Sequence, residues 1–328
     1  MTDLAGINAR IREKLHACQH ALILSHIRPD GDAIGSLIGL GLALQATGKQ
    51  VTLMLEDGLP AKYRFLEGSD LISKTTPAEY DLVIALDCSN KDRLGKISAD
   101  LHVDINIDNH ITNDNYGEIN LVVPEMAATT AILADHLSEW GLPLDKNVAS
   151  ALLMGILTDS IGFRTVNVTP DLLRISARLM ELGADMPDLY NRTLVSQSYP
   201  SSVLWGLALG RLQRENGLIW TVITLDDRKK AGYSGRDDAD LTNLLSAIEG
   251  SEISVLFNEE KDDKVKVSWR SNASIDVSRI AQFFGGGGHP PAAGADMSGS
   301  LDEVRKKVLE KTKQMLKESK TKGELRNE

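Results

Sequence analysis

The chain has 328 residues, 42% hydrophobic and 25% charged, with a formal net charge of −10. That length favours two domains, the balance is that of a soluble globular protein, and the acidity argues against a protein that coats nucleic acid. Two cysteines, Cys18 and Cys88, build no disulfide framework, so a reducing cytoplasm is expected. The first twenty residues are charged throughout and lack the apolar core of a signal peptide, and no apolar run is long enough to cross a bilayer. The charge is uneven. Residues 1–190 carry 15 Lys/Arg against 26 Asp/Glu, a net of −11, and residues 191–328 carry 21 against 20, a net of +1. An acidic first half suits a metal site built from carboxylates.

In chain order, residues 3–17 predict an amphipathic helix with Leu4, Ile7, Ile11 and Leu15 on one face. The apolar run 21–24 predicts a buried strand. It runs into the segment 25–35, SHIRPDGDAIG, which crowds His26, Asp30 and Asp32 into seven residues. Pro29 keeps Arg28 out of the helical region and Gly31 permits a tight turn, so these three polar groups sit on a strand-to-helix loop. At the carboxyl end of a strand in an open α/β sheet, that is a ligand position. Two neighbouring carboxylates and an imidazole form an oxygen-rich set suited to Mn²⁺ or Mg²⁺.

A helix over 33–47 follows, with Gly48 as its stop. Gly35, Gly39 and Gly41 lie inside that helix rather than opening it, so they predict close packing and not a nucleotide fingerprint. Strands are expected at 51–55, at 81–86 ending in Asp87, and at 103–107 ending in Asp108-Asn109-His110. Helices are expected between the strands and again at 126–140 and 145–161, the latter carrying Asp159. Thr169-Pro170 opens another helix as N-cap and first residue. The fold class expected is α/β: an N-terminal domain over 1–190 with a parallel sheet flanked by helices, a helical linker over 191–216, and a smaller α/β substrate-binding domain over 217–328. The second domain should hold a strand at 218–225, a helix at 240–248, strands at 253–258 and 265–270 joined through Asp262-Asp263, and a helix at 275–284. The glycine run 285–294 with His289 and a charged last helix from 301 to about 319 complete it. His16, His20, His102 and His136 read as surface or packing residues, and Cys88 as a small buried group.

Parallel strands deliver their carboxyl ends to one edge, so Asp87 and His110 should arrive beside His26, Asp30 and Asp32. Asp159, at the end of an apolar helix, is costly to bury unpaired. The acids exceed what one octahedral ion needs, which predicts two divalent cations. These ordered motifs resemble those of the DHH phosphoesterase superfamily. Within it the chain is similar, over nearly its whole length, to two-domain bacterial proteins that combine oligoribonuclease activity with phosphatase activity on 3′-phosphoadenosine 5′-phosphate. The motifs are His26-Ile-Arg-Pro-Asp30-Gly-Asp32, Asp87, Asp108-Asn109-His110, Asp159, and the glycine-rich run with His289.

The resemblance implies that His26 and Asp30 hold one ion, that Asp32 and Asp159 hold the other, and that Asp87 bridges them. It implies that His110 meets the substrate phosphate or the nucleophilic water, so His110, Asp87 and Asp32 are the catalytic candidates. Asn109 stands where the family places a ligating His. Its amide oxygen is a harder ligand than imidazole, which predicts weaker binding of the second ion and a shift toward Mn²⁺ or Mg²⁺. On the substrate side the resemblance points to Arg270, Ser271, Gly286, Gly287, Gly288 and His289, with Arg164 as a further phosphate contact; glycine N–H groups and a bidentate Arg suit an anion.

The function implied is a phosphoesterase hydrolysing short oligoribonucleotides or 3′-phosphoadenosine 5′-phosphate to mononucleotides by a metal-bound hydroxide. Two cations are expected, Mn²⁺ foremost and Mg²⁺ second. Short RNA or a small nucleotide is the expected partner, without long nucleic acid or membrane, and a homodimer is the assembly to look for. A cyclic or linear dinucleotide phosphodiesterase, or a catalytically weakened nucleotide-binding sensor, is the alternative.

Overall fold

The computed structural model describes residues 4–96, 100–271 and 275–324. The chain forms two compact units, Met1–Ser196 and Gln197–Glu328.

The first unit begins with α1 (Leu4–Ala17), β1 (His20–Leu24) and α2 (Gly31–Gln45). Then come β2 (Gln50–Met54), β3 (Ile72–Ser73), β4 (Leu82–Leu86), β5 (Ile105–Asp108) and β6 (Ile119–Val122). These six strands make one all-parallel sheet in the order β3-β2-β1-β4-β5-β6. The order reverses between β1 and β4, which opens a crevice at their carboxyl ends. α3 (Thr129–His136), α4 (Lys146–Asp159), α5 (Pro170–Glu181) and α6 (Met186–Tyr190) follow the last strand. Among the described residues the expected alternation of helix and strand therefore holds only between β1 and β2. There the later strands are joined by loops and short 3₁₀ turns, and their helices come afterwards.

Strand residues are buried on both faces, the pattern of a parallel sheet. Ala21, Ile23, Leu53, Ile84 and Ile105 join the large core with α1 to α5, while Leu22, Leu24, Met54, Val83 and Ala85 pack with Cys88, Leu94 and Val103 on the other face. The glycines of α2 act as packing positions. A Cβ on Gly35 would stand 2.6 Å from the Ala151 carbonyl oxygen, and one on Gly39 2.6 Å from the Leu152 side chain, so α2 and α4 lie in close contact. Asp30, Asp145 and Thr169 cap α2, α4 and α5 with their side chains, and Pro170 opens α5 as expected.

The second unit contains α7 (Tyr199–Leu209), β7 (Gln213–Glu215), β8 (Leu218–Ile223), α8 (Leu225–Ala231), α9 (Leu241–Ser246), β9 (Ile253–Glu260) and β10 (Lys264–Ser271). α10 (Ser278–Phe283), β11 (Gly287–His289), β12 (Ala292–Ser298) and α11 (Leu301–Glu324) complete it. Its mixed sheet runs β11-β12-β10-β9-β8-β7, with only β8 and β9 parallel. The strand expected over 218–225 stops at Ile223. Thr224 Oγ1 accepts from Asp227 N at 3.1 Å and Thr224 N donates to Asp227 Oδ2 at 2.8 Å, a reciprocal cap that starts α8. Residues 191–216 divide between the units: Asn191–Val195 continues α6 as a π-helical turn packed on α4, and α7 packs on β8 and α8. Among the described residues no helix is long and apolar enough to cross a membrane.

Candidate metal centre

β1 ends where Ser25 Oγ donates to the Leu86 carbonyl oxygen at 2.8 Å, tying the ends of β1 and β4 together. Arg28 takes a φ of 57°, outside the extended region that a residue before proline usually adopts, and the chain turns into α2. Asp30 caps that helix: its Oδ1 accepts from Asp32 N and Ala33 N, both at 3.1 Å. The other oxygen stays available, 3.8 Å from His26 Nε2.

His26 is buried, with Nδ1 2.9 Å from the Ile27 carbonyl oxygen. A carbonyl only accepts, so Nδ1 carries a proton and Nε2 is the nitrogen that faces the carboxylates. Asp87 Oδ2 lies 3.6 Å from that nitrogen. Asp87 is itself held at a φ of 53°, a conformation rare outside glycine and a mark of a position under constraint. Its Oδ1 lies 3.7 Å from His110 Nδ1, so Asp87 stands between the two imidazoles. His26, Asp30 and Asp87 each bring a ligand atom within 4.8 Å of the others, and so do Asp87, Asp108 and His110. Donors around one octahedral cation stand about 3 to 4.3 Å apart. The first group fits such an ion in both spacing and donor chemistry.

The remaining acids are arranged differently. Asp32 is buried and both oxygens are engaged at the start of α3: Oδ2 accepts from Thr129 N at 2.6 Å, and Oδ1 accepts from Thr130 N at 3.0 Å and Thr130 Oγ1 at 2.6 Å. Asp32 thus supplies the N-terminal cap that Ala128 cannot. Asp159, last residue of α4, is exposed, in contrast to the buried position expected from its apolar helix, because α4 ends at the crevice. The Asn109 side chain beside it favours the charged form of its carboxylate. Asn109 Nδ2 donates to the Met126 carbonyl oxygen at 3.3 Å, and its Oδ1 lies 3.2 Å from Thr129 Oγ1. Gly31 and Gly155 make this assembly possible. A Cβ on Gly31 would meet Thr158 Oγ1 at 2.2 Å, and one on Gly155 would meet Thr130 Cγ2 at 2.4 Å and Asp32 Oδ1 at 3.0 Å.

The electrostatics describe a site rich in negative charge. Desolvation, then the Asp87 charge, pushes Asp32 well above the usual carboxylate range, against the Thr130 hydrogen bonds. Desolvation of the carboxylate itself, then the charges of Asp32, Asp30 and Asp87, does the same to Asp159, although the residue as a whole is exposed. Burial alone would lower His26, but Asp30 and Asp87 outweigh it and raise it to about 10. Burial likewise opposes protonation of His110, and Asp108 and Asp87 raise it to about 9. A divalent cation would take over the role of those protons.

Asp108, Thr129, Thr130 and Arg93 join the site without having been assigned a role from the sequence. Fully buried Asp108 accepts from His110 Nδ1 at 2.7 Å and from Asn113 Nδ2 at 2.6 Å, so the carboxylate holds that ring by its Nδ1 side. The spacing of Asp108 and His110 at i and i+2 past a strand end was the available signal. Arg93 Nη2 lies 3.3 Å from His26 Nδ1. A third group, His102, Asp104 and Glu118, already holds a cation of its own: Lys14 Nζ lies 2.9 Å from Asp104 and 3.0 Å from Glu118.

Of the substrate-side residues, Arg164 is exposed in the loop after α4, which also holds Ile161 at a φ of 49° and Phe163 at 65°. In the second unit Arg270, next to last in β10, has its Nη1 3.1 Å from the Trp269 carbonyl oxygen. Ser271 Oγ donates to the Ile275 carbonyl oxygen at 2.5 Å, so the hydroxyl is spent on the backbone. The glycine run is a hairpin rather than an open loop, with Gly287, Gly288 and His289 opposite Gly294, Ala293 and Ala292. Gly285, at a φ of 76°, closes α10, where Gly286 N donates to the Ala281 carbonyl oxygen at 2.8 Å. A Cβ on Gly286 would meet the Gly294 carbonyl oxygen at 2.1 Å, and one on Gly288 the Ala292 carbonyl oxygen at 2.5 Å, whereas Gly287 faces open space.

Residues 20–156 match the DHH family, N-terminal domain, and residues 217–318 the DHHA1 domain. A protein of Thermus thermophilus named bifunctional oligoribonuclease and PAP phosphatase NrnA is 37% identical over 302 residues, 90% of this chain and 89% of the relative. An exopolyphosphatase-related protein from Bacteroides fragilis has the same fold, with a TM-score of 0.86 at 24% identity over 97% of this chain and 100% of the other. RecJ from Thermus thermophilus, solved in complex with Mn²⁺, shares the fold more distantly, with a TM-score of 0.53 at 15% identity over 95% of this chain and 54% of RecJ. With its strand-end acids and imidazoles gathered at the crevice between β1 and β4, and with a near full-length relative at this identity, the chain belongs to the DHH family of phosphoester hydrolases, in its two-domain form with a DHHA1 domain.

Proposed function

We propose that this enzyme hydrolyses short oligoribonucleotides and 3′-phosphoadenosine 5′-phosphate to mononucleotides, with two divalent cations, Mn²⁺ foremost, held by His26, Asp30, Asp32, Asp87, Asn109 and Asp159. The observation that carries the reading is the meeting of His26, Asp30 and Asp87 at one point, with Asp87 also facing His110. An oxygen-rich set with a single imidazole suits Mn²⁺ or Mg²⁺. The similarity to the Thermus thermophilus protein supports the substrate classes.

When bound, the ions would supply Lewis-acid stabilisation of phosphoryl charge and a lowered water pKa. The chain does the rest by positioning. The Ile27 carbonyl fixes the His26 tautomer, and Asp108 anchors His110 so that its Nε2 can hold a substrate phosphate oxygen or a water proton. In the second unit, Arg270, the open side of Gly287 and His289 are assigned to the substrate's phosphate, an anion that a guanidinium grips in two places. Arg164 is assigned a phosphate contact from the first unit. The two free, buried cysteines agree with a cytoplasmic setting.

The test is incubation with Mn²⁺ and, in parallel, 3′-phosphoadenosine 5′-phosphate, a labelled RNA of two to five nucleotides, cyclic di-AMP and pyrophosphate, each with and without EDTA. Release of phosphate from the first and mononucleotides from the second, abolished by EDTA and restored by excess Mn²⁺, is expected. Turnover of cyclic di-AMP or pyrophosphate alone, or of none of the four, refutes the reading.

A further inference from the structure

We propose that Thr129 is a positioning residue of the metal centre, whose hydroxyl sets Asp87 and Asn109 together. The inference rests on the metal-dependent reading above. Thr129 is fully buried at the first position of α3. Its Oγ1 lies 3.2 Å from Asp87 Oδ1 and 3.2 Å from Asn109 Oδ1, and its backbone N donates to Asp32 Oδ2 at 2.6 Å. One residue therefore touches three members of the proposed ligand set. Its neighbour Thr130 gives its hydroxyl to Asp32 alone.

A threonine hydroxyl carries a single proton and can donate to only one acceptor at a time. An ionised carboxylate is the stronger acceptor, so Asp87 takes that proton in preference to an amide oxygen. Asn109 cannot turn away in response. The Met126 carbonyl accepts only, and so it holds the amide nitrogen on its side at 3.3 Å. The Asn109 oxygen is then left beside a hydroxyl oxygen with no proton between them. A cation relieves that contact, which leaves the Asn109 oxygen as a ligand whose direction is fixed from both ends. In this way the hydroxyl links the orientation of the bridging acid to that of the residue standing in the family's histidine position.

The experiment is calorimetric titration of the metal-stripped full-length protein with Mn²⁺, without substrate, alongside thermal unfolding of the same metal-free samples. Thr129→Val keeps the shape and loses the donor; Thr129→Ser keeps the donor. Thr129→Val should weaken Mn²⁺ binding about 10- to 100-fold, and Thr129→Ser by no more than about threefold. Should Thr129→Val fail to fold, Thr129→Cys fills the site with a poor donor and carries the measurement, with an expected loss of at least about fivefold. Unchanged Mn²⁺ affinity in Val or Cys, even with lower metal-free stability, overturns the proposal, as does a Ser variant that loses as much as Val. Failure of the parent protein to bind Mn²⁺ instead sinks the metal-dependent reading on which this one rests.

Discussion

Gly155→Ala tests the close approach on which the site depends. The added methyl would stand 2.4 Å from Thr130 Cγ2 and 2.7 Å from Thr130 Oγ1, and nothing less than a shift of about 1 Å restores ordinary contact. Overpacking of that kind costs about 1–3 kcal/mol. Moving Thr130 also stretches its 2.6 Å hydrogen bond to the buried Asp32 carboxylate, worth about 1.5–3 kcal/mol. The better helix propensity of Ala in α4 returns about 1 kcal/mol. The net expectation is a loss of about 2–4 kcal/mol in the first unit, or about 4–16 °C in its thermal midpoint. Calorimetry of the unfolding of that unit is the measurement, accompanied by Mn²⁺ titration, which should weaken because Asp32 is displaced. A Gly155→Ala protein as stable as the parent, or more stable, would mean that α2, α3 and α4 are not packed as described.

Three further outcomes are expected. Gly206→Ala, in α7 with no atom within 4 Å of the new methyl, should stabilise the second unit by about 0.5–1 kcal/mol; a destabilised variant contradicts the open helical position. Asp108→Asn should lower kcat by about 100-fold with little change in KM, since His110 loses the carboxylate that holds its Nδ1; equal effects on both constants would point to substrate binding instead. Asp227 is pulled toward protonation by burial, but the Arg211 guanidinium at 2.5 Å and the Thr224 cap outweigh this and hold it below the usual carboxylate range. A lowered folded-state value means stability present above the unfolded value near 3.8 and lost as the pH falls through the lower, folded one. Asp227→Asn should therefore cost about 1–3 kcal/mol at pH 7, a difference that narrows below pH of about 4; a gap independent of pH refutes the ion pair.

Much of the local structure was legible because its causes are neighbours in the chain. Pro29, Gly31 and the capping carboxylate of Asp30 define the loop after β1 within a few residues. Thr169 and Pro170 open α5 the same way, and the placing of Asp87 and His110 at strand ends follows from short apolar runs closed by polar residues. The glycines inside α2 were read correctly as packing positions because they fall within a helix rather than at its start. The brief strands β3 and β6 escaped, being too short to show a pattern, and α8 was hidden by a strand-like run until its reciprocal cap was seen.

Tertiary structure decided what the polar atoms do. Asp32 looks like its neighbour Asp30 in the sequence, yet Asp30 keeps an oxygen available while Asp32 gives both of its own to α3, from which it is separated by 97 residues. Thr129 carried no distinctive local signature and Asp108 showed only as part of a strand-end motif; their roles exist only because β4, β5 and α3 meet. The glycine run, read as a segment whose N–H groups suit an anion, forms a hairpin because β12 is there to pair with it. Residue type and spacing determine the chemistry a chain has available and where its backbone turns. Which donors face which acceptors depends on segments far apart packing at contact distance, and no local preference encodes that.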